Sequence, residues 1–346
     1  MPPAHLPATV GVVTNPLAGK DVRRFLASVS HTSDSAKVGI VRRVVIAAVE
    51  GGATRVVLAD DTNRLAVRAI DGLHLDAELE LIDEPLSGSR HDTVAAAKRM
   101  WKEQCGAVVV LGGDGTCRDV AIGWPDVPLI GISTGTNNVY PSPIDGTSAG
   151  AAAGLVSSGR VAFDAVARRS KRITMHLEHS SVTRHADDLA LVDVAVISAS
   201  FAGARAVVDP RSVRMVVAAI ATPASTGLSS IAGRVHPVGR WEPGGVLVRL
   251  GPSSGGRRVR VPLAPGSFAT MDVAEVIPLA DGQTVQLDGP GMLAFDGERD
   301  RPIHADAIVT ATVESTGPLV IDVEHALVLA ARDRHFDTRL EESHGH

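Results

Sequence analysis

Along the first part of the chain, apolar residues come in short unbroken runs, separated by stretches in which they recur every three or four positions. Thr9–Thr14 (TVGVVT), Arg55–Ala59 (RVVLA), Ala107–Leu111 (AVVVL) and Val127–Ile132 (VPLIGI) are runs of the first kind. Short stretches rich in Val and Ile, bounded by turn residues, predict strands buried on both faces. Glu78–Asp83 (ELELID) alternates and predicts a further strand. Val38–Glu50 and Asp92–Gln104 have helical spacing, and Asp60-Asp61-Thr62 offers an N-cap to a short helix over Leu65–Ile70. Strands alternating with helices predict a doubly wound parallel sheet. Gly146–Ser158, rich in Ala, Gly and Ser, reads as a helix leading out of it.

Beyond Val161 the texture changes. Strand-like runs appear at Ile173–Leu177, Asp188–Ser198, Ser212–Ile220, Gly245–Leu250, Arg257–Val261, Val273–Pro278, Thr284–Leu287 and Ile308–Val313, punctuated by Pro and Gly, which predicts antiparallel β-structure. Asp322–Asp333 reads as a last helix. The expected organisation is an α/β nucleotide-binding domain over residues 1–161 and a mainly-β, acceptor-binding domain over 162–318. The C-terminal helix, about 319–338, is expected to pack back on the first domain.

Aromatic residues make up only 3% of the chain, so its cores must be built from Ala, Val, Leu and Ile. The net charge of −5 argues against nucleic acid as a partner. Cys105 and Cys117 make neither a disulfide framework nor a zinc site and fit a reducing, cytoplasmic location. The first ten residues do not read as a signal peptide, and no apolar run is long enough to span a bilayer, so no membrane partner is expected.

The candidate chemistry gathers where strands end. Ala107–Leu111 runs into Gly112-Gly113-Asp114-Gly115-Thr116. Glycines there let a ligand approach main-chain N–H groups, and ligands of open α/β sheets sit at the carboxyl ends of strands. Phosphate on those N–H groups, with Asp114 facing a hydroxyl or a Mg²⁺, is the chemical reading. Val127–Ile132 likewise empties into Ser133-Thr134-Gly135-Thr136-Asn137-Asn138, whose hydroxyls and amides suit phosphate and ribose oxygens. Asn15-Pro16 follows the first strand in a turn that lacks the spacing of a Walker P-loop. In the second part, Thr222-Pro223-Ala224-Ser225-Thr226-Gly227 forms a hydroxyl-rich turn ahead of a short helix. The run Arg168-Arg169-Ser170-Lys171-Arg172 reads as a solvated strand entrance.

GGDGT followed by STGTNN resembles the superfamily of NAD kinases and diacylglycerol or sphingosine lipid kinases. The whole, from Asn15-Pro16 to Asp296-Gly297-Glu298, looks most like its ATP-NAD kinase-like group, which includes acetoin-catabolism protein X. Thr222-Pro223, Ser225-Thr226, Ser229, Ala232-Gly233 and His236-Pro237 match, in order, a segment of NAD kinases. Phe295-Asp296-Gly297-Glu298 resembles the Asp-Gly-Glu of the lipid kinases and the Asp-Gly of the NAD kinases. Two departures stand out. Val192-Asp193 replaces the Asn-Glu pair of NAD kinases, and Gly227-Leu228 replaces Ala-Tyr.

The resemblance implies a two-domain kinase fold and ATP-dependent phosphoryl transfer to a hydroxyl, with Mg²⁺ arriving on the nucleotide, Asp114 being one alternative ligand, rather than on a side-chain cluster. It implies NAD or NADH as acceptor at an interdomain cleft, with NADP(H) as product. Asp114 is the expected catalytic carboxylate, as base or as metal ligand. Asn15, Gly112, Gly113, Gly115, Thr116, Thr134, Gly135, Thr136, Asn137 and Asn138 are expected on the nucleotide. Asp193, Thr222, Ser225, Thr226, Asp296 and Glu298 are expected on the acceptor. Partners are small nucleotide substrates and further copies of the chain in a homo-oligomer. A kinase of the same fold for a polyol, an acetoin-related compound or a lipid, and a non-catalytic nucleotide sensor, are the competing readings.

Overall fold

The computed structural model describes residues 8–18, 32–135, 137–179, 182–198, 210–252 and 256–337; within its strands, the side chains of 179, 182–187 and 298–300 lie outside that description. The helices are α1 (Asp34–Glu50), α2 (Leu65–Ile70), α3 (Arg90–Lys102), α4 (Asp114–Gly123), α5 (Gly146–Ser157), α6 (Phe163–Val166), α7 (Ser229–Val235) and α8 (Val323–Arg332). The strands of the first part are β1 (Thr9–Thr14), β2 (Arg55–Ala59), β3 (Glu78–Ile82), β4 (Ala107–Gly112), β5 (Pro128–Ser133) and β6 (Ala167–Arg169). Those that follow are β7 (Arg172–His179), β8 (Val182–Ala190), β9 (Asp193–Ile197), β10 (Val213–Ala218), β11 (Gly245–Leu250), β12 (Arg258–Ala264), β13 (Ser267–Leu279), β14 (Thr284–Leu287), β15 (Gly291–Phe295), β16 (Glu298–Ile303), β17 (Ala307–Glu314) and β18 (Leu319–Ile321).

The first sheet has the order β3-β2-β1-β4-β5-β18-β6 and is parallel except at β6. Its central strands β1 and β4 are buried along their whole length, which is why their sequences are apolar without alternation. The chain winds outward from β1 through β2 to β3, then returns to start β4 on the other side. The topological switch point therefore lies between β1 and β4, where doubly wound sheets bind ligands. On one face α5 lies against α1 because it is made of small residues. A Cβ on Gly154 would stand 2.1 Å from the Ala48 carbonyl oxygen. Ile321, Val323, Ala326 and Ala330, from β18 and α8, complete that same core.

The rest of the chain forms two antiparallel sheets, of order β12-β13-β11-β10-β9-β15-β16 and β14-β17-β7-β8. They share a core of Met175, Leu177, Val194, Val196, Leu247, Phe295 and Val309. The helix α7 covers the other face of the larger sheet through Leu228, Ile231 and Ala232. A further core joins the parallel and antiparallel parts: Cys117, Val120 and Ala121 of α4 pack with Tyr140, Leu191, Val192 and Ile220.

Two differences from the sequence reading have physical causes. The run Asp188–Ser198 is broken at Leu191-Val192, because the N–H groups of Leu191, Val192 and Asp193 donate to the Asp296 carboxylate instead of to a neighbouring strand. The hairpin β15–β16 has no alternation to announce it. Its turn is Asp296-Gly297, both at positive φ (48° and 79°), the geometry an Asp-Gly hairpin turn takes. At α2 the cap comes, as expected, from the Asp60-Asp61-Thr62 stretch: Asp61 accepts from Leu65 N (2.9 Å) and Asn63 N (2.9 Å).

Candidate active site

The carboxyl ends of β1, β4 and β5 lie side by side, since Thr14 pairs with Leu111 and Gly112 with Ser133. The loops leaving them are tied together. Asn15 N donates to the Leu111 carbonyl at 3.1 Å, and Asn15 Nδ2 donates to Thr116 Oγ1 at 2.9 Å. Asn15 Oδ1 meanwhile accepts from Leu17 N (2.8 Å) and Ala18 N (3.2 Å), shaping the turn from within. From α1, the fully buried Lys37 donates Nζ to the carbonyls of Pro16 (2.8 Å), Ala18 (2.7 Å) and Asn15 (3.2 Å).

Gly112 has no room for a side chain, because a Cβ would fall 2.5 Å from Thr116 Oγ1. Next to it, a Cβ on Gly113 would meet Asn138 Oδ1 at 2.9 Å. Asn138 Nδ2 donates to Ser133 Oγ at 2.8 Å, which holds the β5 loop over the glycines. Thr134 is buried, its N–H on the Gly112 carbonyl at 3.2 Å, and its hydroxyl has no hydrogen-bond partner among the described residues. A buried unpaired hydroxyl beside a backbone cradle, at the head of a helix, is the kind of group that a phosphate oxygen satisfies.

Asp114 opens α4 and is buried. Its Oδ1 accepts from Tyr140 N at 2.7 Å and Val139 N at 3.0 Å, and Oδ2 from Val139 N at 3.1 Å. Burial, reinforced by the charge of Asp296, pushes its carboxyl up to about 7; the two N–H donors and Arg240 work against that rise. Asp296 is raised as well, by burial first, against the pull of Arg118 and the N–H groups of residues 191–193. Arg118 lies inside the seam, fully buried, with Nη1 on the Phe295 carbonyl at 3.1 Å and its guanidinium over the Phe295 ring. Thus α4 carries Asp114 at its head and, one turn on, the arginine that holds the Asp296 hairpin.

The second-part turn reaches the same place. Thr226 Oγ1 donates to Asn137 Oδ1 at 2.5 Å, joining the TPASTG turn to the STGTNN loop. Of the residues singled out in the sequence, Asn15, Gly112, Gly113, Asp114, Gly115, Thr116, Thr134, Gly135, Asn137, Asn138 and Thr226 meet around these strand ends. Thr222 and Ser225 sit nearby, but their polar groups are engaged within the turn: Ser225 Oγ donates to the Thr222 carbonyl at 2.8 Å. Asp193 is buried and pairs by main chain with Asp296, whose N–H donates to the Asp193 carbonyl at 2.9 Å. Thr136 and the side chain of Glu298 lie outside the described residues.

The sequence reading overlooked Lys37, Arg118, Tyr140 and Arg240. Lys37 left a signal, since it falls on the apolar face of α1 with Val41, Val44 and Ala48. The others left none. The run Arg168–Arg172, expected as a solvated strand entrance, is exposed at Arg168 and Arg169 and turns inward in its middle. Ser170 and Lys171 are buried; Lys171 Nζ donates to the Gly244 carbonyl at 2.9 Å, and burial lowers it to about 8. Among the described residues no three His, Cys, Asp or Glu side chains gather to hold a metal ion, and no helix is long and apolar enough to cross a membrane.

Comparison with known proteins gives this geometry a family. Residues 10–161 match the ATP-NAD kinase N-terminal domain, and residues 171–316 match the acetoin catabolism protein X C-terminal domain. The backbone is similar to that of yeast NADH kinase complexed with NADH, with a TM-score of 0.53 and 13% identity over 97% of this chain and 89% of that one, a likeness of fold alone. Acetoin catabolism protein X of Cupriavidus necator is 34% identical over 340 residues, 95% of this chain and 94% of the relative. The match of the first part to the N-terminal domain of ATP-NAD kinases supports a kinase. The chain belongs to the acetoin catabolism protein X family.

Proposed function

We propose that the protein transfers the γ-phosphoryl group of ATP to a hydroxyl of NAD or NADH, forming NADP(H). The observation that carries the reading is the meeting of three loops from the parallel sheet with the Thr226 turn of the antiparallel part, all beside one buried carboxylate. The fit to a nucleotide rests on the crowded glycines and the unpaired Thr134 hydroxyl. The N–H groups at the head of α4, with Thr116 and Thr134, would hold the phosphates.

When bound, ATP would supply the phosphoryl group and Mg²⁺ would neutralise charge on its phosphates. The chain's own part is positioning and proton movement. Asp114, at about 7, is poised to accept the acceptor's hydroxyl proton as that oxygen bonds to phosphorus and the ADP oxygen departs. The Thr226 and Asn137 pair would orient the acceptor. Asp296 acts from behind, fixing residues 191–193 and keeping Asp114 basic.

The test is transfer of label from γ-labelled ATP in the presence of Mg²⁺, with NAD, NADH and a panel of small polyols offered separately. Label in NADP(H) supports the reading. Label in a polyol alone replaces the acceptor and keeps the reaction class. Absence of transfer to any acceptor removes both.

A further inference from the structure

Arg240 belongs to the segment after α7, on the antiparallel side of the seam, and it reaches across to the loop that follows β5. Its Nη2 donates to the Val139 carbonyl at 2.9 Å and also to the Tyr140 carbonyl. The guanidinium is fixed by stacking. It lies 4.7 Å from the centre of the Tyr140 ring and 5.7 Å from that of Trp241, whose indole also carries Arg168 at 4.6 Å. Tyr140 is fully buried, its hydroxyl paired with Ser170 Oγ at 2.6 Å, so the ring that Arg240 stacks on is itself immobilised.

The Val139 carbonyl and the Tyr140 N–H are the two ends of a single peptide group. Arg240 holds the carbonyl end; Asp114 Oδ1 takes the N–H end at 2.7 Å. A cation on the oxygen of a peptide strengthens the hydrogen bond that its N–H donates. The next peptide, to Pro141, has no N–H to offer, so the Arg240 clamp acts on Asp114 through this one unit.

We propose that Arg240 is a positioning residue for Asp114: by clamping the Val139 and Tyr140 carbonyls it fixes the Val139–Tyr140 peptide and holds its N–H against the carboxylate, so that Asp114 takes its working geometry only when the antiparallel part is docked. The catalytic consequence rests on the functional reading above, whereas the clamp itself needs no substrate. Among the described residues, the charged and titratable groups that act most on Asp114 are Asp296 from the β15–β16 turn and Arg240 itself, with Cys117 of α4, a buried thiol that stays neutral, beside them. Of these only Arg240 favours the ionised form.

The test reads Asp114 directly. Protein carrying ¹³C at its Asp carboxyl carbons is titrated by NMR, and the Asp114 signal is identified by its loss in Asp114→Asn. In Arg240→Gln the midpoint is expected to rise by about one unit. Arg240→Lys keeps the charge and loses the planar fork, so a smaller rise is expected there. An unchanged midpoint in Arg240→Gln overturns the proposal. Should that variant not fold, amide exchange of Tyr140 in Arg240→Lys decides: exchange at least about tenfold faster than wild type supports the clamp, and equal exchange sinks it. A shifted midpoint in a protein that phosphorylates no acceptor leaves the clamp standing and removes the functional reading alone.

Discussion

Thr226 and Asn137 share a hydrogen bond of 2.5 Å, although 89 positions separate them and they come from different sheets' loops. Each lies in a turn rich in hydroxyl or amide side chains. The contact therefore ties together the two segments that the functional reading assigns to nucleotide and acceptor.

Thr226→Val keeps the shape and removes the donor. The expected cost is about 1 kcal/mol of folding stability, because Asn137 loses a partner in a half-buried place. The functional expectation is a larger effect on the KM for the acceptor than on kcat. Urea unfolding checks the first part and steady-state kinetics the second.

Asp114 gives stability a particular pH dependence. In the unfolded chain its carboxyl titrates near the ordinary value of about 4; in the folded protein it titrates at about 7. Between these values the folded state keeps a proton that the unfolded state has lost, so stability falls as pH rises through that window. The sum is up to about 4 kcal/mol for a shift of this size. Asp296, raised in the same direction, adds to it. Asp114→Asn is expected to flatten the profile and to be more stable than wild type above about pH 7, the trade expected when a strained group serves function. Denaturant midpoints across pH measure it.

Arg118→Met leaves the Asp296 carboxylate buried without the cation that favours its charged form. A loss of about 1–3 kcal/mol is expected from leaving the Phe295 carbonyl without its buried donor and Asp296 without its favouring charge, with the Asp296 carboxyl rising further. Equal stability of the variant, by urea unfolding, would show that the N–H groups of Leu191 and Val192 suffice to hold Asp296.

Lys37→Met tests the nucleotide loop from behind. Three carbonyls of the Asn15–Ala18 turn lose their common donor while the helix keeps its apolar face. ATP affinity, measured by calorimetry, is expected to fall by about tenfold, the equivalent of about 1.4 kcal/mol, with kcat much less affected.

The parallel sheet was legible because its central strands are buried on both faces and write themselves as unbroken Val and Ile runs, as in Ala107–Leu111. GGDGT and STGTNN were legible because crowded backbones exclude side chains at Gly112 and Gly113. Of the β15–β16 hairpin only the Asp-Gly turn was legible, since Gly291–Phe295 is buried at one end only and shows no period of two. Arg118 and Arg240 were hidden for another reason. A charged residue on a helix or in a loop reads as solvent-facing, and only the packing of the two parts makes these arginines interior. The chemistry at the strand ends is local and is written locally, whereas the seam that tunes it is a property of the assembled fold.

The most direct test is formation of NADP from NAD, ATP and Mg²⁺ by the wild-type protein and by Asp114→Asn side by side. The expected result is NADP from the wild type and a rate at least about a hundredfold lower from the variant, the usual loss on removing a general base. A variant that makes NADP at the wild-type rate would contradict the role given to Asp114, and a folded, ATP-binding wild type that makes none would contradict NAD as the acceptor.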